Sequence, residues 1–252
     1  MILPTILLII EWLRNLLLVI ALLYAIKTVK ALFKTDSKNK VIGMKRIVFT
    51  LVAGGIAFLL LGLVAENFHG IIDKNFTLAG IVLFSIAYIL LLMAFIYFWH
   101  DSSRFHLLNI SEPIFFLGVC AGVMLWLYYI IRITLEANAG GMPLLNKVIY
   151  FIHPLAVSII FLLTMIIHPA HKAKVIRTPL WYISSGVFLY FLGYNIMIYS
   201  FVRPVARLIP LLYTVLLFLS AAYFTLGFFV ASRKFRLDSK KTLTGNTLKT
   251  HK

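Results

Sequence analysis

The chain of 252 residues is 62% apolar and 13% charged, against about 25% charged in soluble domains, which excludes an ordinary water-soluble fold. Its net charge of +16 does not point to nucleic acid, because the basic residues gather in short links between long apolar runs. A single cysteine, Cys120, leaves no intrachain disulfide and no multi-cysteine metal or redox motif.

Seven apolar runs follow one another, each near the roughly 20 residues a helix needs to cross about 30 Å of hydrocarbon. The first, 2–26, contains IIEWLRNLLL. It lacks the basic leading segment and small-residue cleavage site of a signal peptide, and is read as a retained helix. Glu11, Arg14 and Asn15 in this run are spaced to share one side of that helix. An ionisable group at membrane depth costs at least about 2.5 kcal/mol, so these side chains are expected to face the bundle interior or a wet cavity. In the next link Lys27, Lys30 and Lys34 share a helix face. The first helix is therefore expected to run past the hydrocarbon, with its lysines reaching outward along their stems.

The second run, 47–65, carries Ala53, Gly54, Gly55 and Gly62, small residues that allow close helix contact, and it ends beside Glu66. The third, 77–99, is uncharged and is followed by WHDSSRFH. The fourth, 113–135, contains Cys120, Trp126 and Arg132, and the fifth, 144–167, contains His153 and a Pro154 that should kink it. After HPAHK, the sixth run, 180–202, holds Gly186, Gly193, Tyr194, Asn195 and Tyr199, and the seventh, 208–231, holds no charge. Residues 1–231 thus make one membrane domain. Residues 232–252 are polar, basic and aperiodic, and are expected to be a disordered tail.

Alternating the links across a membrane puts 18 Lys or Arg on one side and five on the other. Because basic links stay cytoplasmic, the amino terminus is expected outside and the carboxyl terminus inside. The fold class that follows is all-α, a polytopic integral protein of the cell membrane built as a seven-transmembrane-helix bundle. Its partner is the lipid bilayer, and the basic inner links and tail are candidate contacts for anionic lipid or for a partner protein.

Counting 1.5 Å per residue from the run edges brings Arg132, His153, Glu66, Tyr194 and Asn195 to one level in the outer half, with Tyr199 near it and Trp126 deeper. A polar group of sites amid aromatics is the pattern of a small-molecule pocket. Glu11, Arg14, Asn15, Arg132, Tyr194 and Asn195 are accordingly the candidate ligand-binding residues. Arg14 and Arg132 would meet acidic ligand groups, while Glu11 and Asn195 would set orientation.

The leading expectation is a non-enzymatic sensor or accessory subunit, analogous in architecture to the seven-helix sensor modules of some prokaryotic receptors. A small secondary transporter using the same intramembrane charges is the alternative, although no internal repeat is evident. No cofactor and no catalytic residue is expected. Two less favoured readings use histidines. At the cytoplasmic edge His100, Asp101, His168 and His171 could hold zinc in a membrane hydrolase. A b-type haem carrier would instead draw axial ligands from His153 and His168 with His69 and His100 opposite. A retinal Schiff base in the seventh run is excluded, since 208–231 contains no lysine, and the end of the third run lacks the acid-Arg-Tyr motif of G-protein-coupled receptors.

Overall fold

The structure, a computed structural model, describes residues 2–34, 40–69, 78–102, 111–137, 148–170, 174–202 and 208–247, all of them helical. Seven α-helices run in chain order: α1 Ile2–Lys34, α2 Lys40–His69, α3 Leu78–Ser102, α4 Ser111–Ala137, α5 His153–Ala170, α6 Lys174–Val202 and α7 Leu208–Thr247. A π-helical turn, Val148–Ile152, leads directly into α5. Within α1, α2, α3, α6 and α7 lie apolar stretches of 31, 22, 21, 23 and 28 residues, each long enough to cross a membrane. The apolar stretches described in α4 and α5, Leu117–Ile133 and Tyr150–Met165, are shorter.

The helices are apolar on both faces because they have two apolar surroundings to satisfy. On α1 the buried positions Arg14, Leu18, Ala21, Ala25, Thr28 and Leu32 recur every three or four residues, while Leu16, Val19, Leu23 and Ile26 stay exposed on the opposite side. The buried stripe packs on neighbouring helices, and the exposed one is suited to lipid.

Six helices close a ring in the order α1, α2, α3, α5, α6, α7 and back to α1. The fourth lies outside it, against α5, α6 and the π-helical turn. The directions of four ring helices can be read from two cavities that the ring lines, a larger first one and a smaller second one. Passing from the first cavity to the second, the lining residues move to lower numbers on α2 and α6 and to higher numbers on α3 and α5. Helices α3 and α5 therefore run the same way as neighbours. So do α1 and α7, where Thr225 sits against Leu17 and Phe229 against Tyr24.

Small residues close two of the seams. A methyl group on Gly62 would come within 2.8 Å of the Phe84 ring, and one on Gly55 within 2.7 Å of Leu91, so α2 approaches α3 only because those side chains are absent. Between α6 and α7 the Ser220 hydroxyl donates to the Gly186 carbonyl at 2.8 Å. At the α1–α7 seam the Thr225 hydroxyl lies 2.9 Å from the Leu17 carbonyl and 2.8 Å from that of Ala221.

Local departures from simple helices have local causes. Pro154 has no N–H to donate and its ring crowds the carbonyl four residues back, and the helix just before it widens into the π-helical turn. At the other end of the chain α7 continues past Ala231 to Thr247, where composition alone points to an aperiodic tail. Phe235 provides the reason for its first turns: it is buried and meets Phe49 edge to face at 5.5 Å. Beside it Lys234 donates to the Thr178 hydroxyl at 3.0 Å. As the lysine spacing predicts, α1 extends to Lys34.

Candidate functional site

The larger cavity has a volume of about 140 Å³ and lies among all six ring helices, at the end where α1 begins. Each helix presents to it the face that its period dictates. Helix α1 contributes Glu11, Arg14 and Leu18, and α6 contributes Tyr190, Tyr194 and Met197, a run of positions separated by three or four residues. Glu66 comes from α2, His153 from α5 and Ser220 from α7.

Arg14 is the central group. It is buried, at 7% exposure, yet its guanidinium makes two long hydrogen bonds, from Nε and Nη2 to Asn15 Oδ1, both at 3.4 Å. Good N–H···O bonds are nearer 2.9 Å, so these satisfy it weakly. Among the described residues no carboxylate lies within 4.0 Å of it. Glu11, Tyr190 and Tyr213 are nevertheless near enough for its charge to act on them. An arginine with five donors and so few acceptors is the arrangement that a bound anion completes.

His153 follows the π-helical turn directly and meets α3. Its Nε2 lies 3.1 Å from Ser85 Oγ, and Ser85 spends its own proton on the Ile81 carbonyl at 2.8 Å. The hydroxyl then accepts, which assigns the proton of the imidazole to Nε2. The ring stands edge-on to Tyr88 at 5.0 Å. Tyr88 in turn shares a 2.7 Å hydrogen bond with the Tyr190 hydroxyl, and Tyr190 stacks on Tyr194 at 5.9 Å. These rings form a hydrogen-bonded aromatic floor. Below it lies the second cavity, about 30 Å³ and lined by side chains such as Val52, Ile160 and Val187, with Leu59, Tyr190 and Phe224 common to both.

Of the residues expected from sequence, Glu11, Arg14 and Tyr194 line the cavity, and Asn15 supports it from behind through Arg14. Asn195 is buried one position away, its Nδ2 donating to the Phe191 carbonyl at 2.7 Å and its Oδ1 without a protein partner, as is Asn15 Nδ2. Arg132 is not brought to this site. It lies on the exposed side of α4 and pairs with Glu136 at 2.8 Å. Trp126, Tyr129 and Tyr199 make a separate aromatic contact between α4 and α6, with Tyr129 stacked on Tyr199 at 6.5 Å.

Tyr88, Tyr190, Ser85 and Ser220 are absent from the sequence reading. For Tyr190 a signal existed in its four-residue spacing from Tyr194. The side chains of His69, His100, Asp101, His168 and His171 lie outside the described residues, so the zinc arrangement, and the haem arrangement apart from His153, rest on positions the structure does not describe. Among the described residues no group of three or more His, Cys, Asp or Glu is placed to hold a metal ion. Compared with family models, with curated proteins and with solved structures, the chain matches none, and its functional reading rests on the chemistry of the cavity itself.

Proposed function

We propose that this chain is a seven-helix protein of the cell membrane, amino terminus outside and carboxyl terminus in the cytoplasm, that senses a small acidic molecule in its outer cavity. The observation that carries this reading is the buried, under-coordinated guanidinium of Arg14 in a cavity of about 140 Å³. A cavity of about 150 Å³ holds benzene, which sets the ligand at roughly six non-hydrogen atoms. One acidic group would meet Arg14, and Glu11 with the tyrosine floor would orient the rest. Binding can alter output only if it favours one helix arrangement over another, and α1, the bearer of Arg14, runs on to the basic inner end where a partner protein would sit.

The topology is supported by two independent features. Helices α3 and α5 run the same way, which is consistent with α4 returning across the membrane between them. The excess of basic residues in the links on one side favours this orientation. A tag at each terminus, probed with protease in intact cells, would reverse the assignment if the carboxyl-terminal tag were the one digested.

The ligand test is a thermal-shift panel of small carboxylates, phosphates and sulfates on the purified protein. Wild type should be stabilised by at least one of them and Arg14→Gln by none. A variant that keeps the full response would end the proposal. A transporter is the second reading, favoured by the two cavities lying in file through the ring with shared walls. Uptake of the binding compound by proteoliposomes would establish it, whereas a sensor binds without flux.

A further inference from the structure

At the far end of the ring from the cavity, basic side chains divide into two kinds. Arg46 is committed: its Nε donates to the Leu32 carbonyl at 2.8 Å and its guanidinium covers the Phe33 ring at 5.1 Å. Lys234 is held on Thr178. Lys27 and Arg233 are different. Both are exposed, and neither has a carboxylate within 4.0 Å among the described residues.

These two cations are set on one piece of aromatic furniture. Tyr24 of α1 and Phe229 of α7 meet edge to face with centroids 5.2 Å apart. The Lys27 ammonium sits 5.2 Å from the Tyr24 centroid, and the Arg233 guanidinium 5.5 Å from that of Phe229. The spacings that allow this are three residues on α1 and four on α7, so each cation covers the ring one turn before it. Because α1 and α7 run the same way, both charges emerge at the same level of the same seam. Lys30, also exposed, lies one turn further along α1. Toward the middle of the helices the exposed neighbours are Leu23, Ile26 and Leu226, all apolar.

We infer that the α1–α7 seam binds one anionic phospholipid, its phosphate between Lys27 and Arg233 and its acyl chains along Leu23 and Leu226. Charge complementarity selects the headgroup, since a guanidinium and an ammonium together match a phosphodiester that carries no compensating amine. The apolar flank selects a lipid over a free anion. The ring contacts keep both cations from collapsing onto the helix surface and reduce the freedom lost when a lipid docks. This inference needs the helices to lie in a bilayer, but it depends neither on the cavity's ligand nor on which leaflet the seam faces.

The experiment is native mass spectrometry of the full chain extracted from vesicles of equal phosphatidylglycerol and phosphatidylcholine. Wild type should retain phosphatidylglycerol at least fivefold over phosphatidylcholine, with one molecule surviving mild activation. The Lys27→Gln, Arg233→Gln double variant should fall to parity. Changing Lys240 and Lys241 to Gln, at the same net cost in charge, should leave the ratio intact. Folding of each variant is checked by its melting temperature, which for the Lys27 and Arg233 changes should stay within a few degrees because both groups are exposed. Equal loss in both pairs would mean a diffuse basic surface and would overturn the site. So would displacement of the retained lipid by millimolar inorganic phosphate, which would make the anion and not the lipid the occupant.

Discussion

Helices α1 and α4 each place an arginine within one turn of a glutamate, and the two pairs have opposite fates. On α4, Arg132 and Glu136 stand 2.8 Å apart with side chains 63% and 49% exposed. On α1, Arg14 is buried beside a cavity and has no carboxylate within 4.0 Å among the described residues, although Glu11 is three positions away. Spacing permits both outcomes. What decides is the helix's place: α1 belongs to the ring and turns its polar stripe inward, whereas α4 packs outside it. An arginine already paired at a surface has little to offer a ligand, while one buried and poorly satisfied retains most of its binding capacity.

The contrast can be broken most directly by ligand binding. Removing one partner of a buried charged contact costs about 2–5 kcal/mol, so Arg14→Gln should weaken the compound found in the thermal-shift panel on the order of 100-fold, measured by titration calorimetry. Arg132→Gln should change it less than about twofold. Comparable losses in both variants would show that the two arginines act on one site after all.

A smaller but more diagnostic effect concerns stability. Replacing buried ion pairs with well-packed apolar side chains of similar volume is often neutral or stabilising by about 1–4 kcal/mol, because desolvation costs more than the attraction returns, and Arg14 has no close carboxylate among the described residues to leave unpaired. Arg14→Met is expected to raise the melting temperature of the ligand-free protein while abolishing binding. A fall in melting temperature would instead mark Arg14 as a structural group. Filling the cavity separates size from charge: Ala221, fully buried on its wall at 2% exposure, when changed to Leu should block the ligand with Arg14 intact, at a stability cost of about 1–3 kcal/mol. Retained affinity in that variant would move the ligand elsewhere. The smallest change belongs to the exposed surface pair, where Arg132→Gln should leave the midpoint of a denaturant titration essentially unmoved, because water and salt screen the pair.

Much of this arrangement is legible in the sequence. The apolar runs foretell every helix, because run length and lipid thickness are tied to each other. The cost of a charge in hydrocarbon foretells that Glu11, Arg14 and Asn15 turn inward. Gly62 and Gly186 announce close seams. Helix order is another matter. Nothing in 113–135 distinguishes a ring helix from one outside it, since both need apolar residues all round, and so Arg132 and Trp126 read as equals of Tyr194. The aromatic floor was hidden for a related reason: tyrosine is common in membrane helices, and only the packing of α3 against α6 brings Tyr88 to Tyr190. The first turns beyond Ser232 are tied to the bundle by Phe235 meeting Phe49 and Lys234 meeting Thr178, contacts that composition averages away.

The seam between α1 and α7 also sets a timetable. Leu17 and Thr225, which touch in the finished ring, are 208 residues apart in the chain, a separation that takes roughly 10–40 s to synthesise at about 5–20 residues per second. During that interval the first helix must wait in the bilayer with Arg14 aboard and the wall that will enclose it not yet made. The cavity wall formed by Leu217, Ser220, Ala221 and Phe224 of α7 is therefore the last to be added around Arg14. Truncation before Leu208 would leave the waiting state permanent, with the amino-terminal helix the first part open to quality-control proteases.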